Sequence, residues 1–349
     1  MKNKLSHILL LTILLLSVND SYAQLAKKIH VIKAGTLVTY LTENEGNEIT
    51  HLTLTGNINA VDFRHLRDEF KNLTVLDISN AEIRMHTGKG GTSPDNLYVY
   101  PKNCIPAYAF CKSINGKWIG KSSLKRVVFS EKTRNIEDGA LKNCTNLKII
   151  EIGKKKAPNL LSEALENTNA AIFVPLGCSD NYKMNAQWKS YAILEGYPIY
   201  ADIKISESSN LGNELLNLGI QPGEVNFLTI EGKLDEVDFK LIRNYMPNLV
   251  SIDIEKTSTK VIPEFTFSQK TYLLDVKLPS QLEVIGQRAF SNCIRLNGDL
   301  ILPSSMVALE YGVFLGCKAL NHVIATGNKL TTIGKDIFDE GNSFKLIYQ

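Results

Sequence analysis

The stretch 278–296, LPSQLEVIGQRAFSNCIRL, contains the pattern that decides the fold. Its cluster Ile-x-x-x-Ala-Phe-x-x-Cys-x-x-Leu returns in the next unit with Leu in place of Ile and Val in place of Ala, and Cys317 stands 24 residues after Cys293. Each unit opens with alternating apolar residues such as Leu300 and Leu302, a period typical of a short β-strand. The strand anchors of the second half are Leu228, Ile252, Val276 and Leu300, each 24 residues apart, and then Val323 and Ile347 with a slip of one residue.

This short repeat predicts a solenoid. A coil of 24 residues cannot bury its own apolar face, so successive coils stack and share one core. We therefore expect an α/β solenoid with a concave parallel β-sheet, and with short helices or turns on its convex side.

The chain is also a tandem duplication. A shift of 176 residues aligns 49–78 with 225–254 without a gap, and eleven of these thirty positions are identical. Asp62 and Asp238 recur in this alignment, and we expect each of them to cap the segment that follows it. The first half differs by extra residues over 85–103 and around Asn115.

These patterns divide the chain into three parts. Residues 1–23 form a signal peptide, 24–200 a first array and 201–349 a second array. The aromatic segment 173–200 breaks the repeat and is expected to close the first stack. The two arrays could also form one continuous solenoid.

The repeat resembles a known family. Leu73-x-x-Leu76-Asp77-Ile78-x-Asn80 is similar to a leucine-rich repeat, and the 278–296 pattern resembles the BspA-type leucine-rich repeats of secreted bacterial surface proteins. Lys270 and Gly341 depart from this pattern, because they stand where it has Cys. The resemblance implies a curved solenoid with a concave sheet, and binding or adhesion toward proteins or glycans of a host or neighbouring cell.

The N-terminus predicts the compartment. Lys2 and Lys4 precede a nine-residue apolar core, and small residues at 21 and 23 mark a cleavage site. We expect an exported protein that is secreted, associated with the cell surface, or periplasmic. No other apolar run approaches the length of a membrane span, so a transmembrane protein is not expected.

Composition and motifs argue against several function classes. The formal net charge is only +3 and no charge block runs along the chain, so a nucleic-acid partner is not expected. The histidines are scattered without a zinc-binding spacing, and no catalytic motif is present. We expect no catalytic residues, no metal site, no cofactor and no enzymatic activity.

The concave face is the default binding surface of a solenoid. Alternation with the buried anchors predicts which charged side chains stand outward there. They are Asp77, Arg126 and Glu151 in the first half, and Glu231, Asp253, Glu255, Asp275, Lys277 and Asp299 in the second. Five of the last six are acidic. This row is either an acidic stripe for a basic partner or a cation, or an ordinary solvated sheet face.

The insertion 85–103 is a second candidate site. It is rich in Gly and Pro and contains Tyr98 and Tyr100, which suit contacts to protein or sugar, although a tolerated surface insertion is equally open. Cys104 and Cys111 lie beside it and could form a disulfide that pins the loop.

The remaining cysteines of the repeat are expected to behave differently. Cys144, Cys293 and Cys317 share a slot that holds Ser113 and Gly341 in other coils. A position that accepts Cys, Ser and Gly selects for small size, so we expect free, buried thiols there.

Taken together, the sequence predicts a non-enzymatic secreted or cell-surface binding protein. Its partner would be an extracellular macromolecule, protein first, recognised through the concave sheet. The alternative is a glycan-capture accessory protein for nutrient uptake.

Overall fold

A computed structural model describes residues 25–339 and 345–348. The predicted signal peptide and the assignment of Gly341 to the cysteine slot lie outside the described residues.

The structure consists of many short strands and few helices. The helices are α1 (Glu45–Glu48), α2 (Ala60–Asp68), α3 (Ser179–Lys183), α4 (Leu211–Asn217) and α5 (Glu236–Tyr245). The strands up to the end of the first array are β1 (Leu25–Val31), β2 (Ile49–Ile58), β3 (Val75–Ile83), β4 (His86–Thr87), β5 (Val99–Tyr100), β6 (Cys104–Ile105), β7 (Cys111–Ile114), β8 (Lys117–Gly120), β9 (Arg126–Phe129), β10 (Asn135–Ile136), β11 (Ile149–Ile152), β12 (Asn159–Leu160), β13 (Ala171–Val174) and β14 (Ala192–Glu195). Those of the second array are β15 (Tyr200–Ile205), β16 (Phe227–Gly232), β17 (Ser251–Asp253), β18 (Val261–Ile262), β19 (Asp275–Lys277), β20 (Val284–Ile285), β21 (Gly298–Leu302), β22 (Ala308–Leu309), β23 (Leu320–Ala325), β24 (Thr332–Ile333) and β25 (Lys345–Tyr348).

Stacked parallel strands confirm the predicted α/β solenoid. In the first array β1, β2, β3, β9, β11, β13 and β14 form one sheet in that order, and a short ladder of β6, β10 and β12 runs along the coils as well. The second array has its own sheets, β15-β16-β17-β19 and β21-β23-β25, with the ladder β18-β20-β22-β24. Each of the two insertions of the first half forms an antiparallel hairpin, β4-β5 and β7-β8.

The period-two pattern decides which side chains form the core. One apolar cluster runs from Ile29 to Ile193 and a second from Ala201 to Leu330. Phenylalanines at matching positions of four coils stack with ring centroids 4.9, 5.7 and 5.7 Å apart, in the order Phe267, Phe290, Phe314 and Phe338. Burying such a side chain stabilises the fold by about 1.5–3 kcal/mol, which explains why a large apolar residue recurs at this position, as Leu141 and Leu165 in the first array.

The small-residue slot behaves as predicted for its cysteines. Cys144, Cys293 and Cys317 are free thiols with no exposed surface. Each thiol points to a phenylalanine carbonyl of the preceding coil: Cys293 Sγ donates to Phe267 and Cys317 Sγ to Phe290, both at 3.0 Å. The side chain in this slot therefore fills a small space and also donates a hydrogen bond that joins neighbouring coils.

The assignment of Ser113 to this slot is wrong. Ser113 lies exposed on the β7-β8 hairpin, which interrupts the coil before the slot is reached. Lys121 occupies the slot instead, so each array has one lysine there, Lys121 and Lys270. Both lysines are buried, with 8% and 3% of their surface exposed.

The register of the last coil differs from the prediction by one residue. Val323 pairs with Leu346, so Leu346 rather than Ile347 continues the row of anchors. Ile347 continues the outward row instead: it pairs with Ile324, which pairs with Ile301, and Ile301 is 61% exposed. The prediction was off by one residue because the last two anchors, Val323 and Leu346, are 23 residues apart and not 24.

The duplicated aspartates act in capping, as expected, but at N3 rather than at N-cap. Asn59 and Asp235 are the N-caps of α2 and α5, and Asp62 and Asp238 complete the capping boxes. Asp62 also accepts hydrogen bonds from the backbone of Leu37 at 2.9 Å, which ties the helix to the preceding coil. Asp238 does the same for Leu211 at 2.8 Å.

Candidate binding surface

The concave sheet of the first array is open to solvent over its first strands. Along β2 the buried Leu52 and Leu54 alternate with the half-exposed His51, Thr53 and Thr55. The outward side chains of β1, β2, β3 and β9, which we call the open concave surface, are Lys28, His30, His51, Thr53, Thr55, Asn57, Asp77, Arg126 and Val128.

Hydrogen bonds between strands fix several of these side chains. His30 Nδ1 and Thr55 Oγ1 are 2.9 Å apart. Asn57 donates to the carbonyl of Ile32 at 2.9 Å and accepts from Arg84 Nε at 2.6 Å. Polar groups held in this way lose little side-chain entropy when they meet a partner.

The same sheet is closed at its other end by the second array. Outward side chains of β11, β13 and β14 form an apolar cluster with residues that lie at the starts of the second array's strands. We call this cluster the seam; its members are Ile149, Ala171, Phe173, Leu194, Val250 and Leu274, with Tyr200, Phe227 and Tyr272 packed against them. Arg295 Nη2 reinforces it by donating to the carbonyls of Ser190 at 3.1 Å and Tyr191 at 3.2 Å.

The seam corrects the assignment of Glu151 as a ligand-facing residue. Only 6% of Glu151 is exposed, and its carboxylate accepts from Arg126 Nε at 2.5 Å. Burial raises the pKa of Glu151, and the guanidinium of Arg126 opposes that rise. Burial also raises the pKa of the neighbouring Tyr200 to about 12. Arg126 and Glu151 therefore stabilise the boundary between the arrays, and Arg126 alone keeps one side toward the open concave surface.

The charges of the second array do not form an acidic stripe. Four predicted outward acids each pair with a base: Glu231 with Lys256 at 2.6 Å, Asp253 with Lys277 at 2.7 Å, Asp275 with Lys148 at 3.1 Å, and Asp299 with His322 at 2.7 Å. Glu255 is exposed just after β17. Lys148 belongs to the first array, so Asp275 serves the seam. The sequence did not reveal these ion pairs, because each base comes from a neighbouring coil or, for Lys148, from the first array.

The insertion 85–103 lies on the other side of the core, across the outer face of α2. Arg64 Nε donates to the carbonyl of Gly90 at 2.8 Å. Tyr100, predicted to contact a ligand, is only 2% exposed, and its hydroxyl accepts from the backbone of Ser93 at 2.7 Å. Tyr98 packs on it at 4.8 Å and remains half-exposed. Tyr100 is therefore part of the core of the loop, and Tyr98 is the residue that could reach a partner.

The predicted disulfide beside this loop is not present in the structure. Cys104 and Cys111 are both free and buried. Burial raises the pKa of each thiol to about 11, so both stay protonated near neutral pH. Arg67 pins the region instead: its Nη1 donates to the carbonyls of Thr92 at 2.8 Å and Cys111 at 3.2 Å, one from each insertion.

The β7-β8 hairpin supplies an aromatic pair that we did not single out from the sequence. Trp118 stacks on Tyr108 with centroids 4.5 Å apart and planes 11° from parallel, and both rings are partly exposed. The signal was present as Trp118 inside the second insertion, but its partner comes from the preceding turn. Tyr200 was missed as well, because only the fold brings it beside Arg126.

Among the described residues, neither a candidate metal-binding group nor a candidate membrane-spanning helix is found. Within 25–339 and 345–348 no group of three His, Cys, Asp or Glu side chains could hold an ion. In the same part of the chain no helix has the length and apolarity needed to cross a bilayer.

Comparisons with known proteins place this stacked-strand architecture among the leucine-rich repeat proteins. The BspA type leucine rich repeat region matches in six copies over residues 103–176 and 233–348, more than half of the chain. The protein therefore belongs to the BspA-type leucine-rich repeat family. A search of curated proteins found no match.

Two solved structures are similar to the chain over most of its length. One is a leucine-rich repeat protein from Bacteroides ovatus ATCC 8483, at 14% identity and a TM-score of 0.28, covering 86% of this chain and 72% of the other. The second is a leucine rich cell surface protein from Faecalibacterium prausnitzii A2-165, at 14% identity and a TM-score of 0.19, covering 80% and 70%.

Proposed function

We propose that this is a non-enzymatic, exported recognition protein that binds an extracellular protein of a host or neighbouring cell through the open concave surface. The observation that carries the proposal is the contrast along one sheet. Its first strands present fixed polar side chains to solvent, whereas its last strands are closed by the seam. The predicted signal peptide supports secretion or attachment to the cell surface.

The charge pattern supports a protein partner over a simple polycation or metal ion. The open concave surface mixes His30, Asp77 and Arg126, and the second array pairs its acids with bases. A mixed surface of this kind selects by complementarity of many weak contacts, which is how protein interfaces achieve specificity.

The test places bulk and charge on the open concave surface. In a Thr53→Arg, Thr55→Arg double variant we expect binding to the partner identified from a panel of matrix and host-cell proteins to weaken about tenfold or more. Surface plasmon resonance measures this change. Ser113→Arg, on the exposed β7-β8 hairpin, is the matched control and should bind like the wild type. Equal affinity of the double variant and the control would overturn the proposal.

Glycan capture is a second candidate, favoured by the stacked Tyr108–Trp118 pair. An aromatic face that is partly exposed offers a platform for the apolar face of a sugar ring. A glycan array separates the two functions. Glycan binding that is lost in Trp118→Ala and kept in the Thr53→Arg, Thr55→Arg variant would favour glycan capture.

A further inference from the structure

The two arrays contain the same helix with different surroundings. The shift of 176 residues that aligns the halves places α2 on α5, so that Val61, Arg64 and Arg67 correspond to Val237, Lys240 and Arg243. One copy of this helix is covered by a chain segment and the other is not. The covered copy therefore shows what the bare one can bind.

On α2 the occupant is a glycine-rich loop of turns and bends between β4 and β5, bound through its main chain. Arg64 Nε and Arg67 Nη1 donate to the carbonyls of Gly90 and Thr92, each at 2.8 Å. A Cβ atom on Gly90 would lie 3.9 Å from Val61 Cγ2, so the segment passes directly over that valine. Gly91 leaves no room for a side chain, because a Cβ there would approach the Tyr100 ring to 2.5 Å.

On α5 the corresponding face is bare. Val237 and Tyr245 are each 62% exposed, and Lys240 is exposed as well. Beside them a groove of about 190 Å³ runs between the start of α4 and α5, lined by Gly212, Leu241 and Tyr245 among others. Arg243 donates to the carbonyl of Glu264 through Nη2, whereas its Nε is buried without a hydrogen-bond partner in the described part of the chain.

We propose that the outer face of α5 is a docking site for a glycine-containing loop of a partner protein. Lys240 exchanges its surface ion pair with Glu236, 2.7 Å long, for a main-chain carbonyl of the partner. Arg243 donates to a second carbonyl through Nη1, as Arg67 Nη1 does on α2. Small residues cross Val237, and one apolar side chain enters the groove. Main-chain recognition of this type tolerates many sequences and takes specificity from the pocket.

The occupant is a separate partner rather than a second copy of the chain. The equivalent segment of each copy is already bound to its own α2 through Arg64 and Arg67. The site also lies on the second array, whereas the open concave surface belongs to the first, so it does not depend on the function proposed above.

The probe is a fluorescein-labelled synthetic peptide with the sequence of residues 86–100, HTGKGGTSPDNLYVY, added to the full-length mature protein. Fluorescence anisotropy should show saturable binding that Val237→Asp weakens by about tenfold or more. Lys240→Arg restores the guanidinium found on α2 and should tighten binding. Val261→Asp, at a residue that is 49% exposed in the same array, is the matched control and should have no effect.

Two further measurements make the result decisive. A peptide with Gly90 and Gly91 both changed to valine should not bind. Gly90 has a φ of +92°, which valine disfavours, and a Cβ on Gly91 would approach the Tyr100 ring to 2.5 Å, so the bound loop conformation is lost. The Thr53→Arg, Thr55→Arg variant of the open concave surface should bind the peptide normally, which separates this site from the proposed function. The proposal is overturned if the peptide does not bind, if Val237→Asp binds it like the wild type, or if the valine peptide binds equally well.

Discussion

At the residue scale, the two buried lysines show how one slot of the repeat can hold very different side chains. Lys270 Nζ donates to the carbonyl of Met246 at 3.0 Å and Lys121 Nζ to that of Phe70 at 2.6 Å. Both carbonyls follow the duplicated helices, where backbone acceptors lack intrahelical partners. The slot thus holds a cysteine where the preceding coil has a turn, and a lysine where the preceding coil has the end of a helix.

These lysines predict an unusual dependence of stability on pH. Burial lowers the pKa of Lys270 to about 8 in the folded state, from 10.5 in the unfolded chain. Between these values the unfolded chain holds the proton that the folded protein has lost, so stability rises with pH across that window. Relative to the wild type, Lys270→Met should therefore lose about 3 kcal/mol of unfolding free energy as the pH rises from 8 to 10.5.

Urea denaturation at both pH values measures this difference. Lys240→Met, on the exposed face of α5, is the control and should differ from the wild type by the same amount at each pH. A pH-independent difference for Lys270→Met would show that the buried ammonium does not lose its proton in this window.

At the element scale, duplication followed by insertion explains the differences between α2 and α5. Arg67 Nη1 donates to the carbonyls of Thr92, Tyr108 and Cys111, whereas its duplicate Arg243 donates to Glu264. The arginine is common to both halves, so the insertions of the first half use a donor that the repeat already had. One side chain holds both insertions against one helix.

Arg67→Ala should therefore release the insertions without unfolding the array. We expect faster tryptic cleavage after the exposed Lys89, and a stability loss of about 1–3 kcal/mol because three partly buried carbonyls lose their donor. Limited proteolysis with mass spectrometry measures the cleavage rate. Arg243→Ala is the matched control and should leave cleavage at Lys89 unchanged; equal rates in both variants would contradict this role.

At the scale of the whole molecule, the seam couples two separate cores. Phe173 is 1% exposed although it stands on the outward side of its strand, because Val250 and Leu274 cover it. Phe173→Asp buries a charge there and should uncouple the arrays, so that calorimetry shows two unfolding transitions where the wild type shows one. Ile301→Asp, at an exposed outward position, should keep the single transition.

The repeating parts of this protein follow from local signals along the chain. A period of 24 residues and strict alternation are local signals, and they were enough to predict the solenoid, the core anchors, the buried thiols at Cys293 and Cys317, and the tandem duplication. The family followed from the same residues. Each of these features depends on neighbours a fixed distance along the chain.

Which outward residues remain available to a partner depends on contacts between distant parts of the chain. Glu151 and Thr53 both stand on the outward side of their strands. The second array buries Glu151, whereas Thr53 remains open to solvent. The bases that pair with the acids of the second array, the burial of the Tyr100 ring and the free thiols Cys104 and Cys111 were not evident from the sequence for the same reason. Their partners come from other coils or from insertions, and periodicity specifies which way a side chain points but not what lies opposite to it.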